Sequence, residues 1–211
     1  MPQVSAPFGL KPVKQTNGSS WNSAVNLYVI PQADTNAYYI GDTVRSAANG
    51  NAFTGAPAVT LYGTRNAAST TGAVRGVIVG LGASAPSGAV GSAQAFDPDN
   101  LNTVFIPATK TKDYYVWVVD SPEIIFEVQT DTIALTAFNK NAPLFVANAP
   151  VAPANQSASF VQGSAAAVTQ ALPLRIVGAP ARDDNDLLVP AFAKVFVVFN
   201  QHELFGNTVG V

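Results

Sequence analysis

Cysteine is absent from this sequence and histidine occurs once, at position 202. Without cysteine there is no disulfide framework, no thiolate metal site and no thiol nucleophile. A single histidine restricts a zinc site to a carboxylate-rich set, which is unusual. Charge is scarce as well: Asp, Glu, Lys and Arg make up 11% of the 211 residues, against about a quarter in ordinary soluble domains. The 11 basic residues are scattered among 13 acidic ones, giving a net charge of −2. No stripe exists to neutralise phosphates, so nucleic acid is disfavoured. No segment approaches the roughly 18 apolar residues of a membrane span. The opening "MPQVSAPFGLKPVKQ" has no basic region followed by an apolar stretch, so the expectation is a protein with no membrane partner, made in a cytoplasm.

What is present is short, β-branched and aromatic. Runs at Leu27–Ile30, Tyr38–Ile40, Thr43–Ser46, Ala58–Tyr62 and Val74–Gly80 are separated by Pro31, Gly41, Gly50, Gly55, Gly63 and Gly72. That spacing predicts an all-β chain, an antiparallel β-sandwich or jelly roll or a small β-barrel, rather than βαβ units. The Gly41-Asp42 corner turns one strand into the next, with Asp42 bonding nearby backbone amides. Further on, "DYYVWVVD" and "EIIFEVQT" flank Asp120-Ser121-Pro122-Glu123 and read as a tight hairpin. Ile124, Phe126 and Val128 share one face of its second strand. Tyr115–Val119 and Val195–Phe199 are apolar without a break, which suits strands covered on both faces. Asp131–Phe138 predicts one short helix, and Gly82–Gly91 reads as a loop. Residues 141–173 carry four prolines and ten alanines and read as a long loop, with a helical turn at Ala165–Ala171. The implied organisation is an extended N-terminal arm, 1–24, and a β-rich body, 25–211. The alternative organisation divides that body into two small β subdomains, 25–140 and 174–211, joined by the 141–173 loop.

The arm supplies the candidate site. Pro2, Pro7 and Pro12 interrupt any helix there, and Asn17-Gly18-Ser19-Ser20 marks a turn. Yet the same segment carries Phe8, Leu10, Val13 and Trp21. Large apolar groups on an irregular segment are buried only by docking, either on the parent body or on a neighbour. Phe8, Leu10, Pro12 and Trp21 are therefore the candidate interface residues, for docking on another subunit or a larger assembly.

Signals for chemistry are weak. There is no G-x-S-x-G elbow, and His202 closes a strand in "FNQHELF", so a catalytic triad has no support. "FDPDNLN" and "RDDNDLL" place Asp97 with Asp99 and Asp184 with Asp186, but Leu101 and Leu188 occupy the third ligand positions of a calcium loop. Asx-type turns account for both. "GLGASA" matches part of a dinucleotide fingerprint through Gly80, Gly82 and Ala85, but Pro86-Ser87-Gly88 prevents the helix that must follow. The sequons at Asn17 and Asn155 have no secretion signal to make them meaningful. No catalytic residue, metal or cofactor is expected.

The stretches "APFGLKPV" (6–13), "YYIGDTV" (38–44), "RGVIVG" (75–80), "PLRIVG" (173–178) and "DNDLLVPAFAKVFVVFNQHEL" (184–204) resemble those of the capsid decoration, or cement, proteins of tailed bacteriophages. The resemblance implies a non-enzymatic virion protein on the outer surface of an expanded head, made in the cytoplasm of a bacterial host. Its partner would be the major capsid protein, and it would be a homo-oligomer, a dimer in preference to a trimer. A surface low in charge, with little self-repulsion, suits a subunit packed in an assembly. A carbohydrate-binding β-sandwich of a phage tail or fibre is the alternative, and it would require exposed aromatic platforms.

Overall fold

The computed structural model describes residues 3–52, 54–82, 105–148 and 156–205. Ala85, Asp97, Asp99, the Asn155 sequon and all of the expected Gly82–Gly91 loop beyond Gly82 lie outside them. The described residues form strands β1 (Lys11–Gln15), β2 (Asn26–Ile30), β3 (Thr43–Gly50), β4 (Pro57–Leu61), β5 (Ala67–Ser69), β6 (Gly76–Leu81), β7 (Tyr114–Val119), β8 (Ile124–Gln129), β9 (Asn141–Ala142), β10 (Leu144–Val146), β11 (Phe160–Val161), β12 (Leu174–Gly178) and β13 (Lys194–Phe199). Helix among these residues is limited to two 3-10 turns, Leu135–Ala137 and Gly163–Ala165. The chain is all-β.

Five strands close a barrel in the order β2-β4-β3-β6-β7, and five more form a sheet in the order β1-β8-β13-β12-β9. A small sheet, β11-β10-β5, lies beside them. Every ladder is antiparallel except β2 with β4, which meet in parallel at Val29 and Ala58. β7 sits between β2 and β6. Its Val116 and Val118 join the main core, while Tyr115 joins a second cluster with Val29, Ala56 and Ala58. Trp117, on the same face as Tyr115, is exposed. In β13, Val195, Val197 and Phe199 are buried and the alternate residues half-buried, as befits a strand between β8 and β12.

The expected hairpin does not form. β7 belongs to the barrel and β8 to the five-stranded sheet, so residues 120–123 are a corner between the two. Asp120 explains why: its buried carboxylate accepts bonds from the Tyr28 hydroxyl (2.6 Å) and Asn26 Nδ2 (2.8 Å), and faces Arg75 at 3.6 Å. These partners tie the end of β7 to the barrel, and β8 departs toward β1 and β13.

The expected helix at 131–138 shrinks to one 3-10 turn because tertiary partners take its backbone. Thr130 and Ile133 donate to the Ala193 and Pro190 carbonyls, and Asp131 to Val161. Residues 141–173 hold β9, β10 and β11, and the single helical turn begins at Gly163 rather than Ala165.

The N-terminal segment is not a free arm. β1 pairs with β8, Lys11 opposite Glu127 and Pro12 opposite Phe126. Nor are 25–140 and 174–211 separate bodies, since β8 lies between β1 and β13. One apolar core runs from Ile30 and Val44 in the barrel through Leu10 and Phe126 to Val195 and Phe199.

Two glycines let the N-terminal segment cross the barrel. Leu10 N–H donates to the Gly41 carbonyl at 3.0 Å, and Gly41 N–H donates to Ile78 at 2.8 Å. Gly9 (φ +72°) and Gly41 (φ +93°) both adopt the left-handed region. A Cβ on Gly9 would stand 2.5 Å from the Gly41 carbonyl oxygen, and one on Gly41 would stand 2.7 Å from that of Phe8. Backbone cannot yield as a side chain does. Gly9→Ala and Gly41→Ala should each cost about 2–4 kcal/mol in urea unfolding. Gly18→Ala, with φ +91° but nothing within 4 Å, should cost about 1 kcal/mol. Equal losses at all three positions would show that the close crossing contributes nothing.

Candidate functional site

The N-terminal segment runs along a groove of about 1010 Å³ between the barrel and the five-stranded sheet. Ile40, Gly41 and Val79 line its barrel side, and Glu127, Gln129 and Lys194 its sheet side. All four sequence-derived candidates line it: Phe8, Leu10, Pro12 and Trp21. Their roles differ. Phe8 and Trp21 are half-buried, whereas Pro12 is buried and Leu10, 2% exposed, belongs to the chain's own core. Leu10 and Pro12 therefore shape the groove from below, and Phe8 and Trp21 stand at its surface.

Gln129 fixes the segment in place. Its Oε1 accepts from Ala6 N–H (2.9 Å), and its Nε2 donates to the carbonyls of Val4 (3.0 Å) and Phe192 (2.9 Å). Phe192, also in the lining, has φ +60°, a conformation that costs a bulky residue on the order of 1–3 kcal/mol. Its N–H donates to Asp131 O at 3.0 Å, so the strained residue is bonded through both backbone groups.

The polar wall is self-neutralised. Arg182 pairs with the buried Glu127 and with Asp184, and Lys194 also pairs with Asp184. The Lys194 hydrogen bond, helped by Arg182, holds the Asp184 carboxyl below its ordinary range, and the Glu127 bond raises Arg182. Asp184 is thus an ion-pair residue, while Asp186 makes the expected Asx turn, accepting Leu188 N–H at 2.9 Å. Gln129, Arg182 and Phe192 are the site residues that sequence reasoning missed, because each acts through a partner remote in the chain.

A second cavity of about 700 Å³ is lined by Arg45, Ser46, Tyr62, Gln201 and Glu203 among others. Ser46 donates through N–H and hydroxyl to the Glu203 carboxylate. His202 is buried and its Nδ1 accepts Leu204 N–H at 3.1 Å, so that nitrogen is not available as a base for the hydroxyl. Among the described residues no group of three or more His, Asp or Glu could hold a metal ion.

The buried charges belong to the frame. Asp42 accepts Tyr39 N–H at 2.9 Å, the turn bond the sequence predicts. It also pairs with Arg65, which donates to the Ala37 and Ala147 carbonyls. Lys110 donates to the Asp34 and Asn36 carbonyls, and burial lowers its pKa despite the Asp34 carboxylate nearby. Burial opposes the Asp34 charge, but bonds from Asn36 N–H, Thr60 and Tyr38 outweigh it and hold the group below its usual range.

His202 makes a pH prediction. Burial, then Arg75, lowers its pKa against the weaker pull of Asp120 and Glu203. The unfolded chain therefore takes up a proton first as pH falls through about 6.5, and stability present above that pH is lost toward the lower native value. The urea midpoint should fall between pH 7.5 and 5.5. In His202→Asn, which keeps an acceptor for Leu204 N–H, the fall should be much smaller. An equal fall in both proteins would remove His202 from the account.

Comparison of the chain with protein-family models, with curated proteins and with solved structures found no match.

Proposed function

We propose that this chain is a structural virion protein that attaches to the outside of a tailed-phage head and bridges neighbouring major capsid proteins. One observation carries the reading. The segments that resemble decoration proteins are not scattered over the fold but form the frame of the groove. Leu10, Gly41 and Ile78, from three of them, are linked by consecutive backbone bonds. The other two pair as β12 and β13, and β13 joins β1 through β8. The groove itself presents half-buried aromatic groups and neutralised ion pairs. Such a surface suits docking repeated over many copies, in which modest contacts sum to firm attachment.

A carbohydrate-binding module of a tail or fibre is the second reading. It is favoured by Trp117, whose exposed ring lies against Gly80 on the outer face of β7, the flat platform that sugars stack on. Loss of polysaccharide retention in Trp117→Ala, with the protein found in tail fractions, would support it.

The test of attachment is co-sedimentation with emptied, expanded heads. Deleting residues 1–20 is unsuitable, because it removes β1 and the core residue Leu10. Phe8→Ser with Ile40→Ser alters the groove and leaves that strand in place. The wild-type chain should saturate the shells, and the double variant should bind far fewer copies while its melting temperature shifts by a few degrees. Failure of the wild-type chain to bind heads would overturn the proposal.

A further inference from the structure

The loop between β12 and β13 is held more firmly than its exposure suggests. Asn185 is buried within it, accepting Lys194 N–H (2.7 Å) and donating to the carbonyls of Pro180 (3.0 Å) and Lys194 (2.9 Å). At the tip, Val189 N–H and Gln3 Nε2 both donate to the Asp186 carbonyl. On this fixed backbone stands Leu188, 87% exposed, beside the exposed Val189. One exposed leucine is ordinary, but this one has apolar company. The Gln3 bond brings Val4, 74% exposed, to the tip. Phe192 and Ile40, also exposed, line the same groove as Val4. A preorganised apolar knob and an apolar groove thus share one wall, since Arg182, Asp184 and Phe192 of this loop line the groove.

Charge identifies the occupant. The loop carries Asp183, Asp184 and Asp186 against Arg182, while Lys11 stands in the groove lining and Lys14 follows on the same strand. Among the described residues neither Asp183 nor Lys11 has an ion-pair partner. Asp183 on the loop therefore lacks a cation and Lys11 in the groove lining lacks an anion, and the same chain supplies both. A two-fold axis at the shared wall satisfies each twice, because an isologous interface pairs residue i with j and j with i. The low net charge of −2 offers little long-range repulsion to oppose it. We propose that this face docks a second copy of the chain, each 182–190 loop inserting Leu188 and Val189 into the partner's groove with its Asp183 facing the partner's Lys11. The inference stands on loop and groove alone; a second copy and a phage head would compete for this groove, and sedimentation without heads reads the second copy by itself.

The test is sedimentation velocity of the full chain without shells, at concentrations up to about 100 µM. The wild-type chain should form a dimer. Leu188→Asp, Lys11→Glu and Asp183→Lys should each weaken it by at least about tenfold, with melting temperatures unchanged at dilutions where the wild-type chain is monomeric, because all three side chains are exposed. Combining Lys11→Glu with Asp183→Lys should restore dimerisation, which a nonspecific apolar contact would not do. Absence of native cysteine gives a second readout. Leu188→Cys in one tagged chain and Phe8→Cys in another should join through a short bismaleimide linker. A monomer throughout, a closed trimer, a dimer indifferent to Leu188→Asp, or no rescue by the charge swap would each overturn the proposal. Retained head binding by a monomeric wild-type chain would assign the groove to the shell and leave the attachment reading intact.

Discussion

The fold depends on one place where two stretches of main chain pass at a distance that only glycine permits. At Gly9 and Gly41 the N-terminal segment meets the corner between Tyr39 and Thr43, and the hydrogen bond from Leu10 to Gly41 locks the crossing. Everything that gives the groove its shape follows from this contact. It lowers Leu10 into the core, aligns Lys11–Gln15 with β8 and leaves Phe8 at the groove surface. On the other side of the corner, Asp42 is 0% exposed and is compensated by a guanidinium that also satisfies two carbonyls. A buried carboxylate with one partner removed would be strongly unfavourable. The corner thus has a single acceptable geometry.

The charged groups around the two cavities satisfy one another. Arg182, Glu127, Asp184 and Lys194 neutralise one another, Gln129 spends both amide functions on backbone, and Ser46 is bonded to a carboxylate. Groups arranged this way hold surfaces in register. They make the charged wall of the groove a rigid mould, and preformed walls lose little to reorganisation.

Strand existence was legible because β-branched and aromatic runs such as Leu27–Ile30, Ile124–Gln129 and Val195–Phe199 carry their own signal. Strand partnership was not. Tyr114–Val119 and Ile124–Gln129 are neighbours in sequence, yet Asp120 finds Tyr28 and Arg75, some 92 and 45 positions away, and the pair separates into different sheets. Strands of two or three residues, such as β9 and β11, are too short to show any alternation. Within the site, Phe8 and Trp21 were visible because large apolar groups on a proline-interrupted segment must be covered by something. Leu10 and Pro12 looked the same in sequence. Leu10 is buried by the crossing at Gly41, and Pro12 by a pairing with β8 that shifts register between Pro12 and Lys14, which masks the alternation of a strand. Gln129 and Phe192 gave no signal, since a clamp and a strained backbone exist only in three dimensions.

The strand order β1-β8-β13-β12-β9 also sets a schedule for synthesis. The barrel strands all lie between Asn26 and Val119, so the barrel can close while the ribosome is still making the second half of the chain. The sheet cannot. Its central strand, β13, begins at Lys194, and until it emerges β1 and β8 have no neighbour to continue the ladder. β1, made before every barrel strand, must therefore await β13, and a chain interrupted before residue 194 would carry a formed barrel with unpaired, aggregation-prone strand edges.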